Sequence, residues 1–306
     1  MLNKIILGAT GLVLILVLVP QATKEKNVSG TPQVLGTKVE NTELEQIDLF
    51  IKPAPELAGN LETPQLSARA ALSFDLNSGA ILYTKNFDQE LPVASLTKLV
   101  TALVVVDKLS FNDEVVVERA DTLVVGSNMG LVPGERIKVI DLLHGMLISS
   151  SNDAAMALSR QVAGSAEEFV VLMNQKITAL GLSSSHFSNP VGLDSADNYS
   201  TTFDLGRIVG EFVSKPELAR VVQLRQLEVA SVDDKFRHVL TSTNELLIED
   251  ASIMGIKTGY TDEAKGNLVI RKKQGEADVV TIILGSDDRE EDTRKLLAWV
   301  FGSYRW

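Results

Sequence analysis

Strand-like segments near both ends of a folded region, with helical segments between them, constrain this fold most. Residues 71–83 hold two short strands around the turn signal Asn77-Ser78-Gly79, and residues 266–272 and 278–285 are rich in β-formers. Apolar residues recur at helical spacing in five other segments, which are 95–109, 140–163 with a polar break, 167–181, 204–213 and 291–301. We therefore expect an α+β domain whose sheet pairs N-terminal with C-terminal segments.

The first 22 residues are typical of a targeting segment. Lys4 precedes residues 5–19, which carry no charge, and this order is that of a secretory signal. The run suits a signal peptide and is shorter than the ~17–25 residues that span a bilayer, but Pro20 stands where cleavage favours a small residue. We expect residues 1–22 to be an uncleaved anchor or a cleaved signal. The rest is then extracytoplasmic, held at the membrane through residues 5–19 or secreted.

The remaining chain divides into a linker and one domain. Residues 23–64 contain several prolines and glycines and no long apolar period, which indicates a flexible linker. Residues 65–306 carry the periodic segments described above and are long enough for a sizeable core. We therefore predict a single domain over residues 65–306.

Composition excludes several function classes. Lys and Arg total 29 against 40 Asp and Glu, a net charge of −11, which argues against nucleic-acid binding. The chain has no cysteine, so it has neither disulfides nor thiol catalysis. It has 3 histidines and no HExxH pattern, which makes a zinc hydrolase improbable. We expect no metal and no organic cofactor.

Three short motifs carry chemistry, and the first is Ser95-Leu-Thr-Lys98. A serine hydroxyl is a weak nucleophile that needs a base, and residues three apart on a helix share a face. Ser95 lies in the first turn, where free backbone N–H groups favour a developing negative charge. Lys98 becomes a base only if burial and a second cation, for which Lys257 is the candidate, lower its pKa.

The other two motifs are Ser150-Ser-Asn152 and Lys257-Thr-Gly259. The serine hydroxyl and asparagine amide can relay a proton and hold a substrate amide, and Ser150 stands at the predicted break between two helices. Lys257 and Thr258 offer a cation and a hydroxyl to a carboxylate, and Gly259 allows close backbone approach. Each motif alone is weak, but in this order they indicate acyl transfer from a peptide with a free C-terminal carboxylate.

The chain resembles the serine-type D-Ala-D-Ala carboxypeptidases, which are low-molecular-weight penicillin-binding proteins. The similarity extends over about residues 66–306, through the segments 92–104, 130–159, 187–194, 199–208, 255–264 and 293–301. It implies an antiparallel sheet flanked by helices beside an all-helical lobe, with the site between them. It also implies that Ser95 is the acylated nucleophile, Lys98 its base, and Ser150 with Asn152 the second catalytic motif. The substrate-binding residues would be Lys257, Thr258, Gly259 and Tyr260, and backbone N–H groups of Ser95 and Tyr260 would form the oxyanion hole.

The resemblance implies removal of the terminal D-Ala from peptidoglycan stem pentapeptides, with β-lactam antibiotics as inhibitors. Cleavage of D-Ala cross-links by the same residues, or penicillin sensing without turnover, stay open as alternatives. A serine β-lactamase needs a loop glutamate for its deacylating water, and residues 189–204 contain none. Arg289 could contact a substrate carboxylate, although its acidic surroundings favour a solvated loop. His186 and His238 are expected in polar loops, so a Ser-His-Asp triad is improbable.

Overall fold

The computed structural model describes residues 53–59 and 61–306. The predicted signal or anchor over residues 1–22, including the apolar run 5–19, and most of the predicted linker lie outside the described residues. Within the described part of the chain, no helix combines the length and the apolar character needed to cross a bilayer.

The described residues contain thirteen strands and eight α-helices, which are numbered in chain order. The strands are β1 (Glu56–Leu57), β2 (Ala70–Asp75), β3 (Ile81–Lys85), β4 (Leu91–Pro92), β5 (Glu114–Val116), β6 (Arg136–Lys138), β7 (Tyr199–Ser200), β8 (Gln226–Ala230), β9 (Arg237–Thr241), β10 (Ile253–Thr261), β11 (Lys265–Gln274), β12 (Ala277–Ser286) and β13 (Tyr304–Arg305). The helices are α1 (Lys98–Lys108), α2 (Val139–Ile148), α3 (Asn152–Ala163), α4 (Ala166–Ala179), α5 (Thr202–Val213), α6 (Pro216–Val221), α7 (Glu245–Glu249) and α8 (Arg289–Ser303). Short 3₁₀ helices cover Ala94–Thr97 and Arg119–Leu123.

An antiparallel sheet of five strands, in the order β10-β11-β12-β2-β3, forms the centre of the fold. The N-terminal hairpin therefore pairs with the C-terminal strands, as the sequence predicts. Strand β12 is buried along its whole length, and its side chains alternate between two cores. Val280 and Ile282 join the core shared with the helical lobe, whereas Val279 and Ile283 pack with α8 on the other face.

Helices α1 to α5 form the helical lobe on one face of the sheet. Helix α1 is buried over its first eight residues, and it contacts α2, α3, α4 and α5. Three fully buried aromatic rings, Phe169, Phe187 and Phe212, fill the space around it. The α+β class, the flanking helices and the helical lobe are thus confirmed. The N-terminus of α1 is therefore packed among buried neighbours.

The end of the predicted linker packs on the domain. Strand β1 pairs with β13, and the backbone N–H groups of Ala58 and Gly59 both donate to the Ser303 carbonyl at 2.8 Å. The Trp299 indole N–H donates to the Leu61 carbonyl at 3.2 Å. Residues 56–59 and 61, which the sequence places in the flexible linker, thus contact the folded domain. Composition did not indicate this, because backbone pairing with a distant segment leaves no mark on local composition.

Candidate active site

Ser95 lies in the 3₁₀ turn that leads directly into α1. The preceding residue, Ala94, has a φ of 48°, an unusual backbone conformation for a residue with a Cβ. Two neighbouring elements fix this turn. The Asn267 amide on β11 donates to the Pro92 carbonyl at 3.1 Å, and the Asn198 amide donates to the Thr97 hydroxyl at 3.1 Å. The turn presents the Ser95 hydroxyl, half-buried, at the edge of the sheet.

Lys98 begins α1 and is completely buried. Its Nζ lies 3.0 Å from Ser95 Oγ and donates to the Val191 carbonyl at 2.6 Å. Burial lowers the pKa of Lys98 well below its ordinary value, and the nearby Lys257 cation lowers it further. A lysine in this environment can be neutral and accept a proton from the adjacent hydroxyl.

The loop over residues 189–193 supplies the carbonyl that Lys98 contacts. Asn189 Oδ1 accepts from the backbone N–H groups of Val191, Gly192 and Leu193 at 3.3, 2.7 and 3.0 Å. The Thr101 hydroxyl also donates to the Pro190 carbonyl at 2.7 Å. One side chain therefore shapes the loop that holds the lysine. The sequence motifs gave no role to this loop.

The second motif lies at the junction of α2 and α3, where the sequence predicts a break. Ser150 has a φ of 61°, which turns the chain between the two helices. Its Oγ accepts a 2.9 Å hydrogen bond from Lys257 Nζ. Asn152 begins α3 and is nearly buried; its amide Nδ2 donates to the Val125 carbonyl at 2.6 Å.

The third motif lies on β10, at the edge of the central sheet. Lys257 is fully buried, and burial together with the Arg289 charge lowers its pKa to about 7. The Thr258 and Thr243 hydroxyls are 2.5 Å apart. A Cβ added to Gly259 would lie 3.1 Å from the Ser95 nitrogen, so a larger residue would press on the turn that carries Ser95. Tyr260, the next residue, is 61% exposed.

Arg289 differs from its expectation as a solvated loop residue. It begins α8, its side chain is only 19% exposed, and its Nη1 donates to the Gly259 carbonyl at 3.0 Å. Its Nε donates to Glu290 at 2.7 Å. The acidic run around it caps a helix instead of forming a loop, since Asp288 accepts from the Glu291 N–H. The sequence feature that pointed to a role for Arg289 is its position directly after the last long strand.

His238 also differs from expectation. It lies on β9, it is buried, and its Nε2 is 2.8 Å from a carboxylate oxygen of Glu135. The two residues are 103 positions apart, so no local pattern in the sequence indicated their contact. Neither residue is a partner of Ser95 in the hydrogen bonds of the described chain.

The geometry thus joins the three motifs in one place. Lys98 contacts Ser95, Lys257 contacts Ser150, and Gly259 approaches the backbone of Ser95. Such an arrangement provides a hydroxyl nucleophile, a buried amine that can be neutral, and a second amine linked to a hydroxyl. It fits acyl transfer to a serine hydroxyl.

A family model for D-alanyl-D-alanine carboxypeptidase matches residues 58–288, most of the chain. The chain belongs to this peptidase family. Its members among curated proteins include a carboxypeptidase, DacF, of Bacillus subtilis, which is 31% identical over 78% of this chain and 63% of its own length. The DacC carboxypeptidase of Escherichia coli is 33% identical over 83% of this chain and 66% of its own length. The chain therefore spans a little under two thirds of these two relatives.

Other similar proteins match over more of their length. A D-alanyl-D-alanine endopeptidase of Pseudomonas aeruginosa is 33% identical over 80% of this chain and 81% of its own length. Among solved structures, a Streptomyces DD-transpeptidase superposes with a TM-score of 0.75 at 29% identity, over 79% of this chain and 99% of that one. A penicillin-binding protein homologue of Mycobacterium tuberculosis superposes with a TM-score of 0.74 at 30% identity, over 81% and 96%.

Proposed function

We propose that this chain is a serine-type D-Ala-D-Ala carboxypeptidase. It removes the terminal D-Ala from peptidoglycan stem pentapeptides through an acyl-enzyme on Ser95, and β-lactams inhibit it by acylating the same oxygen. The supporting observation is the completely buried Lys98, whose Nζ lies 3.0 Å from Ser95 Oγ. Burial and a second cation leave this amine free to act as a base. The names of the family relatives agree with this activity.

Acylation begins with attack of Ser95 Oγ on the carbonyl carbon between the two D-Ala residues. Lys98 takes the hydroxyl proton as the new C–O bond forms, and the backbone N–H groups of Ser95 and Tyr260 bind the oxyanion. The C–N bond then breaks, and the departing amine takes the proton that Lys98 removed, relayed through the Ser150 hydroxyl, which is hydrogen-bonded to Lys257, so that Lys98 is neutral again. Water then hydrolyses the ester, with Lys98 again as base, and restores the Ser95 hydroxyl.

The third motif accounts for recognition of a C-terminal carboxylate. Lys257 lies on β10 and Arg289 donates to the Gly259 carbonyl of the same strand, and Thr258, between Lys257 and Gly259 in the chain, adds a hydroxyl. Gly259 keeps the strand free of a side chain where the substrate backbone would lie against Ser95. Asn152, on the opposite wall, would hold the substrate amide with the N–H that Val125 does not occupy.

The test is release of D-Ala from diacetyl-Lys-D-Ala-D-Ala by the full chain in mild detergent, with Ser95→Ala as the blank. Continuous release by the wild type and none by the variant is the expected result. Acylation by penicillin without D-Ala release would contradict the carboxypeptidase and favour an endopeptidase or a sensor. Absence of both release and penicillin acylation would refute the acyl-enzyme.

Cleavage of cross-links is the second candidate, since the endopeptidase relative is the one matched over 81% of its length. Both reactions use the same residues and differ in the leaving group, a free D-Ala or a second stem peptide. Parallel assays on a pentapeptide and on a cross-linked muropeptide dimer distinguish them. We expect a higher kcat/KM on the pentapeptide.

We further propose that the protein acts outside the cytoplasm and is held at the membrane through residues 5–19. The order of Lys4 and the uncharged run supports this orientation, and the proposed substrate is a wall component. Recovery of the chain in the membrane fraction after a carbonate wash is expected. Recovery of a shortened chain in the medium would favour the cleaved signal.

The pH dependence of acylation should reflect the two buried lysines. The rate constant for β-lactam acylation should rise with pH as Lys98 loses its proton, and fall above about 7, where Lys257 becomes neutral and attracts the substrate carboxylate less. In Lys257→Met the neighbouring cation is gone, so the pKa of Lys98 rises. We therefore expect the acidic limb to move to higher pH. An acidic limb that stays in place would contradict the coupling, whatever the loss in absolute rate.

A further inference from the structure

The loop over residues 124–135 forms the support of Asn152. The Asn152 backbone N–H donates to the Ser127 carbonyl at 2.6 Å, and its side chain donates to the Val125 carbonyl at 2.6 Å. The Asn152 amide can be correctly placed only while these two carbonyls stay where they are. What holds the 124–135 loop therefore bears on the second motif.

Two buried acidic groups hold the 124–135 loop. Asp153, on α3, accepts from the backbone N–H groups of Met129, Gly130 and Leu131 at 3.1, 3.0 and 3.1 Å. Glu135, at the loop's end, accepts from the Val132 N–H at 3.1 Å. Both carboxylates are shielded from water, so these hydrogen bonds are strong and costly to lose.

His238 links this loop to the β8–β9 hairpin. Its Nδ1 lies 3.0 Å from the Met129 carbonyl, which can only accept, so this nitrogen carries a proton. Its Nε2 lies 2.8 Å from Glu135 Oε1, and the two side chains are 5% and 0% exposed. This second contact needs one further proton, on either the ring or the carboxyl group.

The charged groups that face the ring are Glu135, from the connection before β6, and Asp153, from α3. The Glu135 hydrogen bond raises the pKa of His238 above its ordinary value, against the opposite effect of burial. Because the folded-state pKa lies above the ordinary one, the contact is fully stabilising below that ordinary value. It is lost as the pH rises through the folded-state pKa, when a ring lone pair faces a buried carboxylate.

We propose that His238 and Glu135 are positioning residues that share one proton and thereby fix the 124–135 loop under Asn152. With the proton present, the Met129 carbonyl and the Val132 N–H are both held. Without it, the pair separates and the loop moves off Asn152. The consequence for acylation rests on the proposed function, whereas the state of the loop does not.

The deciding variant is Glu135→Gln. A glutamine can accept from the Val132 N–H through its carbonyl oxygen and donate from its amide to Nε2 of a neutral His238, so both contacts persist without the shared proton. Glu114→Gln is the matched control, because Glu114 is an exposed carboxylate on β5 that pairs with Arg136. His238→Ala removes both contacts.

The experiment measures hydrogen exchange of the Asn152, Met129, Gly130 and Leu131 amides in the full chain between about pH 6 and pH 10, relative to intrinsic exchange rates. In the wild type and Glu114→Gln, protection should fall by about tenfold or more on the alkaline side, and in Glu135→Gln it should not. His238→Ala, if it folds, should show low protection throughout. An equal alkaline fall in Glu135→Gln, or none in the wild type, would overturn the proposal.

Penicillin acylation is measured on the same samples. We expect the ratio of the Glu135→Gln rate constant to that of the wild type to increase about tenfold from neutral to alkaline pH, in step with the loss of protection. A constant ratio would refute the link to Asn152. If no variant is acylated while the exchange pattern is as expected, the proposed function fails and the shared proton stands.

Discussion

Replacing Ser95 with alanine is expected to lower the acylation rate constant and D-Ala release by about 10⁴-fold or more. The reason is that the proposed reaction proceeds through a covalent ester, and among the described residues Ser95 carries the one hydroxyl that is hydrogen-bonded to Lys98. The other hydroxyls of the site have other partners, since that of Ser150 is hydrogen-bonded to Lys257 and that of Thr258 to Thr243. Mass spectrometry of the penicillin-treated chain should locate the adduct on the tryptic peptide 86–98.

The Ser95→Ala change should leave the fold intact. Ser95 is half-buried and its side-chain hydrogen bond is with Lys98, which keeps its 2.6 Å contact to the Val191 carbonyl in the variant. We expect the free energy of unfolding to change by less than about 1 kcal/mol. Ser110→Ala is the control and should acylate normally. Ser110 is exposed, and it precedes Asn112 by two residues just as Ser150 precedes Asn152. A penicillin adduct in Ser95→Ala would assign the nucleophile elsewhere.

The two buried lysines lie where the helical lobe packs against the sheet. Lys98 begins a helix in the lobe and Lys257 lies on the edge strand, so each is buried only because the two layers meet. Taking a cation out of water is costly, and the protein meets this cost by letting the pKa of each lysine fall. The same packing that stabilises the domain therefore lowers the pKa of the proposed base, Lys98.

Local patterns in the sequence were sufficient for most of the longer elements and for the three motifs. Helical spacing located α1 to α5 and α8, alternating and β-rich runs located β2, β3, β11 and β12, and the polar break at Ser150 separated α2 from α3. The spacing of Ser95 and Lys98 correctly indicated that they meet. These features depend on neighbours within one or two turns, and periodicity records such neighbours well.

Contacts between distant segments were beyond these patterns. The pairing of His238 with Glu135, the docking of β1 on β13 and the burial of Arg289 each depend on where other elements pack. The β8–β9 hairpin and the short α6 and α7 also carried too few periodic residues to be recognised. The close approach of Gly192 to the backbone of Ala94, almost a hundred residues earlier, is another such contact.

Gly192→Ala is expected to disable the site from outside the three motifs. Gly192 has a φ of 86°, and a Cβ there would lie 2.0 Å from the Ala94 carbonyl oxygen and 2.9 Å from the Ser95 nitrogen. These are backbone atoms of the turn that carries Ser95, so either this turn or the 189–193 loop must move. We expect the variant to lose about 2–5 kcal/mol of stability, from strain and overpacking together, and to acylate at least about 100-fold more slowly.

Gly164→Ala separates the two causes. Gly164 follows α3 with a φ of 85°, and an added Cβ would meet nothing within 4 Å. It therefore carries the same backbone strain without the collision, and should lose about 1 kcal/mol and acylate as the wild type does. Thermal unfolding and penicillin acylation of the two variants give the comparison. Equal losses in both would mean that the 189–193 loop yields freely, and that the close approach of Gly192 to Ala94 does not set the position of Ser95.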